Sequence, residues 1–149
     1  MSLVIASIDI DASMQDVWDH VMDPEKMRSW VTIVAAVDRV DPGPVRRGFR
    51  MSQTLCLRGV HFKVHWTLEE VDAPRFARWE GKGPARSTAV TENRLTAREG
   101  RTHFDYRNEF RTPFGLLGAA ASKVVVGGIP EKEANASLRR LKDVLETPV

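Results

Sequence analysis

One tyrosine, Tyr106, stands in the run "THFDYRNEF" and is the side chain of this sequence best suited to moving a proton. A neutral phenol, with an ordinary pKa near about 10, is a modest acid. Efficient proton transfer at neutral pH normally uses His, Asp or Glu within reach of the substrate, and the histidines do not supply it. His20 falls on a helical stretch, whereas His61, His65 and His103 alternate with apolar residues in strand-like runs and so face solvent. His61 and His65 are spaced like a helical metal pair, but along a strand four residues span roughly 13 Å. No metal site is expected. Cys56 falls on an outward strand face with no evident histidine partner, which argues against a nucleophile.

Other short signals are weaker. "EGKGPA" is glycine-rich but lacks both GxGxxG and GK[ST], so it reads as a turn whose two glycines could form a mobile rim. "PVRRGFR" gathers Arg46, Arg47 and Arg50 at a hairpin end, read as a solvated surface with an anion site as the alternative. No G-x-S-x-G elbow is present. The sequon at Asn135 reads as chance.

The elements that would position Tyr106 follow from hydrophobic periodicity. "LVIASIDIDA" alternates as a half-buried strand. Ser13 then caps a short helix, with Asp16 three residues on, and Asp23-Pro24 starts a second that ends near Trp30. From Val31 to Phe110 there are only strand signals: Val31–Val40, Gly48–Leu57, Val60–Val71, Phe76–Gly81, Ser87–Thr96 and Thr102–Phe110. The breaks are short and rich in turn residues, which favours consecutive antiparallel pairing.

Strand parity divides inside from outside. Phe62, Val64, Trp66 and Leu68 must face the core, with His61, Lys63 and His65 opposite. The same argument turns inward Phe49, Met51, Gln53, Leu55 and Leu57; Ala77 and Trp79; and Thr102, Phe104, Tyr106, Asn108 and Phe110. Ser87–Thr96 reads either way, and the face with Ser87, Ala89, Thr91, Asn93 and Leu95 inside is favoured because Glu92 and Arg94 then fall outside. This inner set holds neutral polar groups, which cost roughly 1–3 kcal/mol each if left unpaired in a dry core. Either they pair with one another and the backbone, or they line a cavity holding water or ligand. No inward histidine or carboxylate comes from the central strands.

The chain ends with two contrasting segments. Phe114–Val126 is small and apolar nearly all round, whereas Glu131–Glu146 carries one stripe of Ala134, Leu138, Leu141 and Leu145. Gly127, Gly128 and Pro130 separate them, so a helix broken near Gly127-Gly128 is expected, its first piece lining or gating a cavity mouth.

The totals agree with one α+β domain over residues 1–149. Hydrophobic residues make up 42% and charged residues 28%, and 22 basic against 20 acidic residues leave a net charge of +2. So balanced a charge argues against phosphate-driven nucleic-acid binding. The sole cysteine excludes an internal disulfide and a Cys-rich zinc site. The start "MSLVIASIDIDAS" meets acidic residues too soon for a signal peptide, and no apolar run reaches the roughly 18–20 residues of a membrane span. A cytoplasmic protein without stable membrane insertion is expected, with a homodimer left open.

"S-x-x-D-V-W-D", "D-P-E-K-M-R-S-W", "G-R-T-H-F-D-Y-R-N-E-F-x-x-P-F-G-L-L-G" and "L-R-R-L-K-D-V-L-E" together resemble the SRPBCC/START-like superfamily, within it the polyketide cyclase/dehydrase-like group. The resemblance covers nearly the whole chain. It implies a helix-grip fold, a curved antiparallel sheet of about seven strands wrapped around the C-terminal helix with a hydrophobic cavity between them. It implies a ligand-binding cavity at Met51, Gln53, Trp66, Trp79, Thr91, Asn93, Tyr106 and Asn108, joined on the helix by Phe114, Leu117, Ala120 and Val124. No cofactor is implied. Three functions follow as expectations. The first is binding of a small hydrophobic molecule. The alternative is a cyclase or dehydratase acting in the same cavity, with Tyr106 as the weak catalytic candidate. The second alternative is a co-chaperone-like interaction module.

Overall fold

The computed structural model describes residues 2–57, 59–111 and 129–147. Seven strands form one antiparallel sheet: β1 (Ser2–Ile10), β2 (Val34–Val40), β3 (Arg50–Leu57), β4 (Val60–Asp72), β5 (Phe76–Lys82), β6 (Thr88–Arg98) and β7 (Arg101–Arg111). Its order is β1-β7-β6-β5-β4-β3-β2, so β2 to β7 are a meander and β1 closes the far edge. Short turns enforce that order. At the β6–β7 turn both Glu99 and Gly100 have positive φ, 49° and 80°, the backbone twist that two-residue hairpins prefer and that glycine adopts without strain.

Among the described residues three α-helices accompany the sheet: α1 (Met14–Val21), α2 (Met27–Trp30) and α3 (Ile129–Glu146). Ser13 Oγ accepts from the Asp16 N–H at 3.1 Å, the cap that starts α1. The second expected helix is a 3-10 turn over Pro24–Lys26, capped by Asp23, followed by the single turn of α2. The strand expected from Val31 begins only at Val34. The Val31 N–H still bonds to Met27 O at 2.9 Å and Val34 N–H to Val31 O at 3.1 Å, so these residues close a turn before extending.

This is the helix-grip arrangement. The curved sheet holds α3 against its concave face, with Leu138 and Leu141 almost fully buried and Ala134 beside them. Ile10, Phe49, Leu68 and Phe104 lie beneath as fully buried side chains. Most of the expected parity holds, with one exception. Ser52 is buried at 4% exposure although alternation faces it outward, since its register partners Arg39 and His65 flank it on that face. The expected break at Gly127-Gly128 and the Phe114–Val126 segment lie outside the described residues. No helix among the described residues is long and apolar enough to cross a membrane.

A polar clip joins the end of β1 to the last turns of α3. Glu146 Oε2 accepts from the Asp11 N–H at 2.8 Å and from Lys142 Nζ at 2.6 Å, and Lys142 Nζ also donates to Asp9 O at 2.8 Å. The Asp9 carboxylate accepts from His103 Nδ1 at 2.7 Å. The Asp11 N–H, and then Lys142, hold the Glu146 carboxyl below its usual range, and the His103 hydrogen bond does the same for Asp9. A carboxylate whose folded pKa is depressed stabilises the fold above its unfolded pKa and loses that contribution as pH falls through the folded value. Urea midpoints are therefore expected to fall below about pH 5, and Glu146→Gln is expected to flatten part of that fall. An unaltered acid slope in the variant would remove the clip from the account.

Candidate functional site

Between the sheet and α3 lies a cavity with about 80 Å³ of free space, where one water needs roughly 10–15 Å³. The inner faces of β3 to β7 form one wall, through Met51, Gln53, Trp66, Trp79, Thr91, Asn93, Tyr106 and Asn108. Parity turned all eight inward, and the family resemblance implied a cavity there. Phe114, Leu117, Ala120 and Val124 lie outside the described residues. Leu55, Leu57 and Phe110, also turned inward by parity, extend that wall, and further lining comes from residues the central-strand parity could not reach: Met27 and Trp30 around α2, Val31, Ile33 and Val34 leading into β2, and Glu133, Ala134 and Ser137 on α3.

The cavity's polar groups answer the choice between pairing and lining with both. Trp66 Nε1 donates to Gln53 Oε1 at 3.0 Å, and Thr91 Oγ1 donates to Asn108 Oδ1 at 2.6 Å. Among the described residues the Gln53 amide nitrogen meets only sulfur, Met27 Sδ at 3.1 Å and Met51 Sδ at 3.9 Å, and thioethers are weak acceptors. Ser87 stands apart, bonded to Pro84 O at 2.7 Å. Two buried atoms have no partner among the described residues, Trp30 Nε1 and Asn93 Oδ1.

Tyr106 sits at the centre of this wall. Its ring is 5.6 Å from those of Trp30 and Phe104, spacings typical of favourable aromatic pairs. Burial pushes the phenol above its ordinary pKa, and the hydrogen bond from Asn108 opposes this. The group is therefore a neutral hydrogen-bonding phenol at any physiological pH and a poor source of phenolate.

The cavity also contains a carboxylate, supplied by the helix rather than the strands. Glu133 and Ser137 lie one turn apart on α3 and meet Thr32, just before β2. The Thr32 N–H donates to Ser137 Oγ at 3.0 Å, the two hydroxyls are 3.2 Å apart, and Thr32 Oγ1 donates to Glu133 Oε2. The apolar stripe of Ala134, Leu138, Leu141 and Leu145 did not place Glu133 at the cavity. The available signal was the i, i+4 pair of Glu133 and Ser137 flanking the apolar stripe.

Outside the cavity, His61 and His65 are exposed on the outer face, as parity requires. Cys56 does have a histidine opposite it, since the β3–β4 register pairs it with His61. Both stand on the outer face, away from the cavity. Among the described residues no group of three His, Cys, Asp or Glu side chains could hold a metal.

The family model described as polyketide cyclase/dehydrase and lipid transport matches residues 1–146. The chain belongs to that family. The family's description names both polyketide cyclase/dehydrase chemistry and lipid transport. The protein Rv1546 of Mycobacterium tuberculosis (strain H37Rv) is 26% identical over 131 residues, 87% of this chain and 92% of that protein. Among solved structures, TTHA0849 from Thermus thermophilus superposes with a TM-score of 0.76 at 14% identity, covering 97% of each chain. DynU16, from the dynemicin biosynthetic locus, gives a TM-score of 0.66 at 17% identity over 97% of this chain and 47% of that one. At these identities the family's fold is shared, and the likeness extends no further.

Proposed function

We propose that the protein binds a small, mostly apolar molecule in the cavity between the sheet and α3. The observation that carries this reading is the cavity wall, in which Met, Trp, Val and Ile side chains surround a few polar groups already held in place by one another. Such a wall gives apolar burial for affinity and a few fixed groups for orientation. The test pairs native mass spectrometry of the purified protein with titration of the neutral dye N-phenyl-1-naphthylamine. Saturable binding near one dye per chain is expected, and Ala134→Phe, which fills the space from α3, is expected to weaken it at least about tenfold. An empty protein that takes up no dye would sink the proposal.

A second reading is a cyclase or dehydratase acting on a substrate held in the same space. It is favoured by the Glu133 carboxylate and the Tyr106 phenol both lining that cavity. Positioning alone can lower a barrier by several kcal/mol (about 7–11 for well-oriented groups), so a strong acid is not required. Turnover of an enolisable polyketide-like substrate is expected to fall sharply in both Glu133→Gln and Tyr106→Phe. Unchanged turnover in either variant removes that residue from the mechanism.

A further inference from the structure

The orphaned atoms of the cavity specify more than an apolar guest. Trp30 is 2% exposed and its Nε1–H is a donor without an acceptor among the described residues; Asn93 is 4% exposed and its Oδ1 is an acceptor without a donor there. Leaving either unserved costs free energy. The two are neighbours of one residue: the Trp30 ring lies 5.6 Å from that of Tyr106, and Asn93 is Tyr106's partner across β6 and β7.

A ligand group serving both must accept from an indole N–H and donate to an amide oxygen. An ammonium cannot accept, and a ketone, ether or carboxylate cannot donate. A hydroxyl does both. Charge points the same way: among the described residues the wall contains Glu133 but no Lys, Arg or His. An anionic ligand would meet a like charge and no counter-ion from those residues in a poorly solvated space.

We infer that the cavity takes a neutral hydroxylated ligand, an alcohol or phenol on an apolar body, whose hydroxyl bridges Trp30 Nε1 and Asn93 Oδ1, and that it rejects carboxylates. This rests on the cavity-binding reading above.

Four probes of one shape separate the contributions: 4-propylphenol, 4-propylanisole, propylbenzene and 4-propylbenzoate, titrated into the isotope-labelled protein near pH 7. The expected affinities fall in that order. The phenol is expected to bind about tenfold or more tighter than propylbenzene, as two modest hydrogen bonds provide, with the benzoate not detectably bound. The Trp30 indole N–H resonance, assigned by its loss in Trp30→Phe, should move downfield with the phenol and the anisole but not with propylbenzene. In Asn93→Leu the preference for phenol over anisole should vanish while propylbenzene still binds. The indole readout uses the unaltered chain, so a misfolded variant does not spoil the test.

Equal affinities for phenol and propylbenzene would mean that water serves both atoms, overturning the hydroxyl subsite while leaving a binding cavity. Tightest binding by the benzoate would overturn it too. Failure of all four probes would overturn the cavity-binding reading and the subsite with it.

Discussion

Gly81→Ala is expected to cost about 1–3 kcal/mol of stability, the usual range for overpacking a filled core, and to abolish dye uptake. Gly81 lies in β5 directly opposite Trp66 of β4 and Ala89 of β6. A Cβ added there would stand 2.7 Å from Trp66 Cε3, 2.7 Å from Val64 Cγ1 and 2.8 Å from Trp66 Cζ3. All three distances are below any real carbon contact, so something must move. The indole cannot simply swing aside, because its Nε1 is tied to Gln53 at 3.0 Å and its ring is a cavity wall. Displacing it would break a buried hydrogen bond and push into the space the ligand needs. Urea denaturation and dye titration on the same preparation read both effects. Adding Trp66→Phe, which removes ring bulk at the clash, is expected to recover part of the lost stability. An unchanged midpoint in Gly81→Ala would show that the strand yields instead.

The larger loss is expected from Leu141→Ala, about 2–5 kcal/mol. Leu141 is fully buried and Leu138 is 1% exposed; together they seat α3 against β1 and α2. Truncation leaves a void that a helix wedged in a curved sheet can only partly close. The function should suffer as well, since α3 carries Ala134, Ser137 and Glu133 into the cavity wall. Val144→Ala on the exposed side of the same helix, at 44% exposure, should stay within about 0.5 kcal/mol. If the two variants unfold at the same urea concentration, the stripe does not anchor the helix.

The strand half of the cavity was legible because alternation is rigid: once Phe62, Val64, Trp66 and Leu68 face inward, their neighbours' faces are decided. The helical half was not. A stripe says which side of α3 is buried but not which flank meets Thr32, so Glu133 and Ser137 went unread as cavity residues. Trp30 looked like a helix end, and its orphaned indole N–H exists only in three dimensions. Gly81 closed the expected strand Phe76–Gly81, as β5 bears out, but its close approach to the Trp66 indole went unread because "EGKGPA" also resembles a turn. The opposition of Cys56 and His61 was recoverable, since only two residues separate Leu57 from Val60, whose pairing sets Cys56 against His61.

The place of β1 beside β7 bears on how the molecule assembles. Every neighbour pair from β2 to β7 joins strands consecutive in the chain and closes only a short loop. The pairing of Ser2 with Phe110 and of Ile10 with Thr102 instead joins segments about a hundred residues apart, and contacts of that separation are slow to form. The meander can therefore zip hairpin by hairpin while β1 waits for β7, with Val4, Ala6 and Ile10 uncovered. The strand that comes first in the sequence is thus expected to be among the last placed, and until it docks, α3 lacks one of its principal supports.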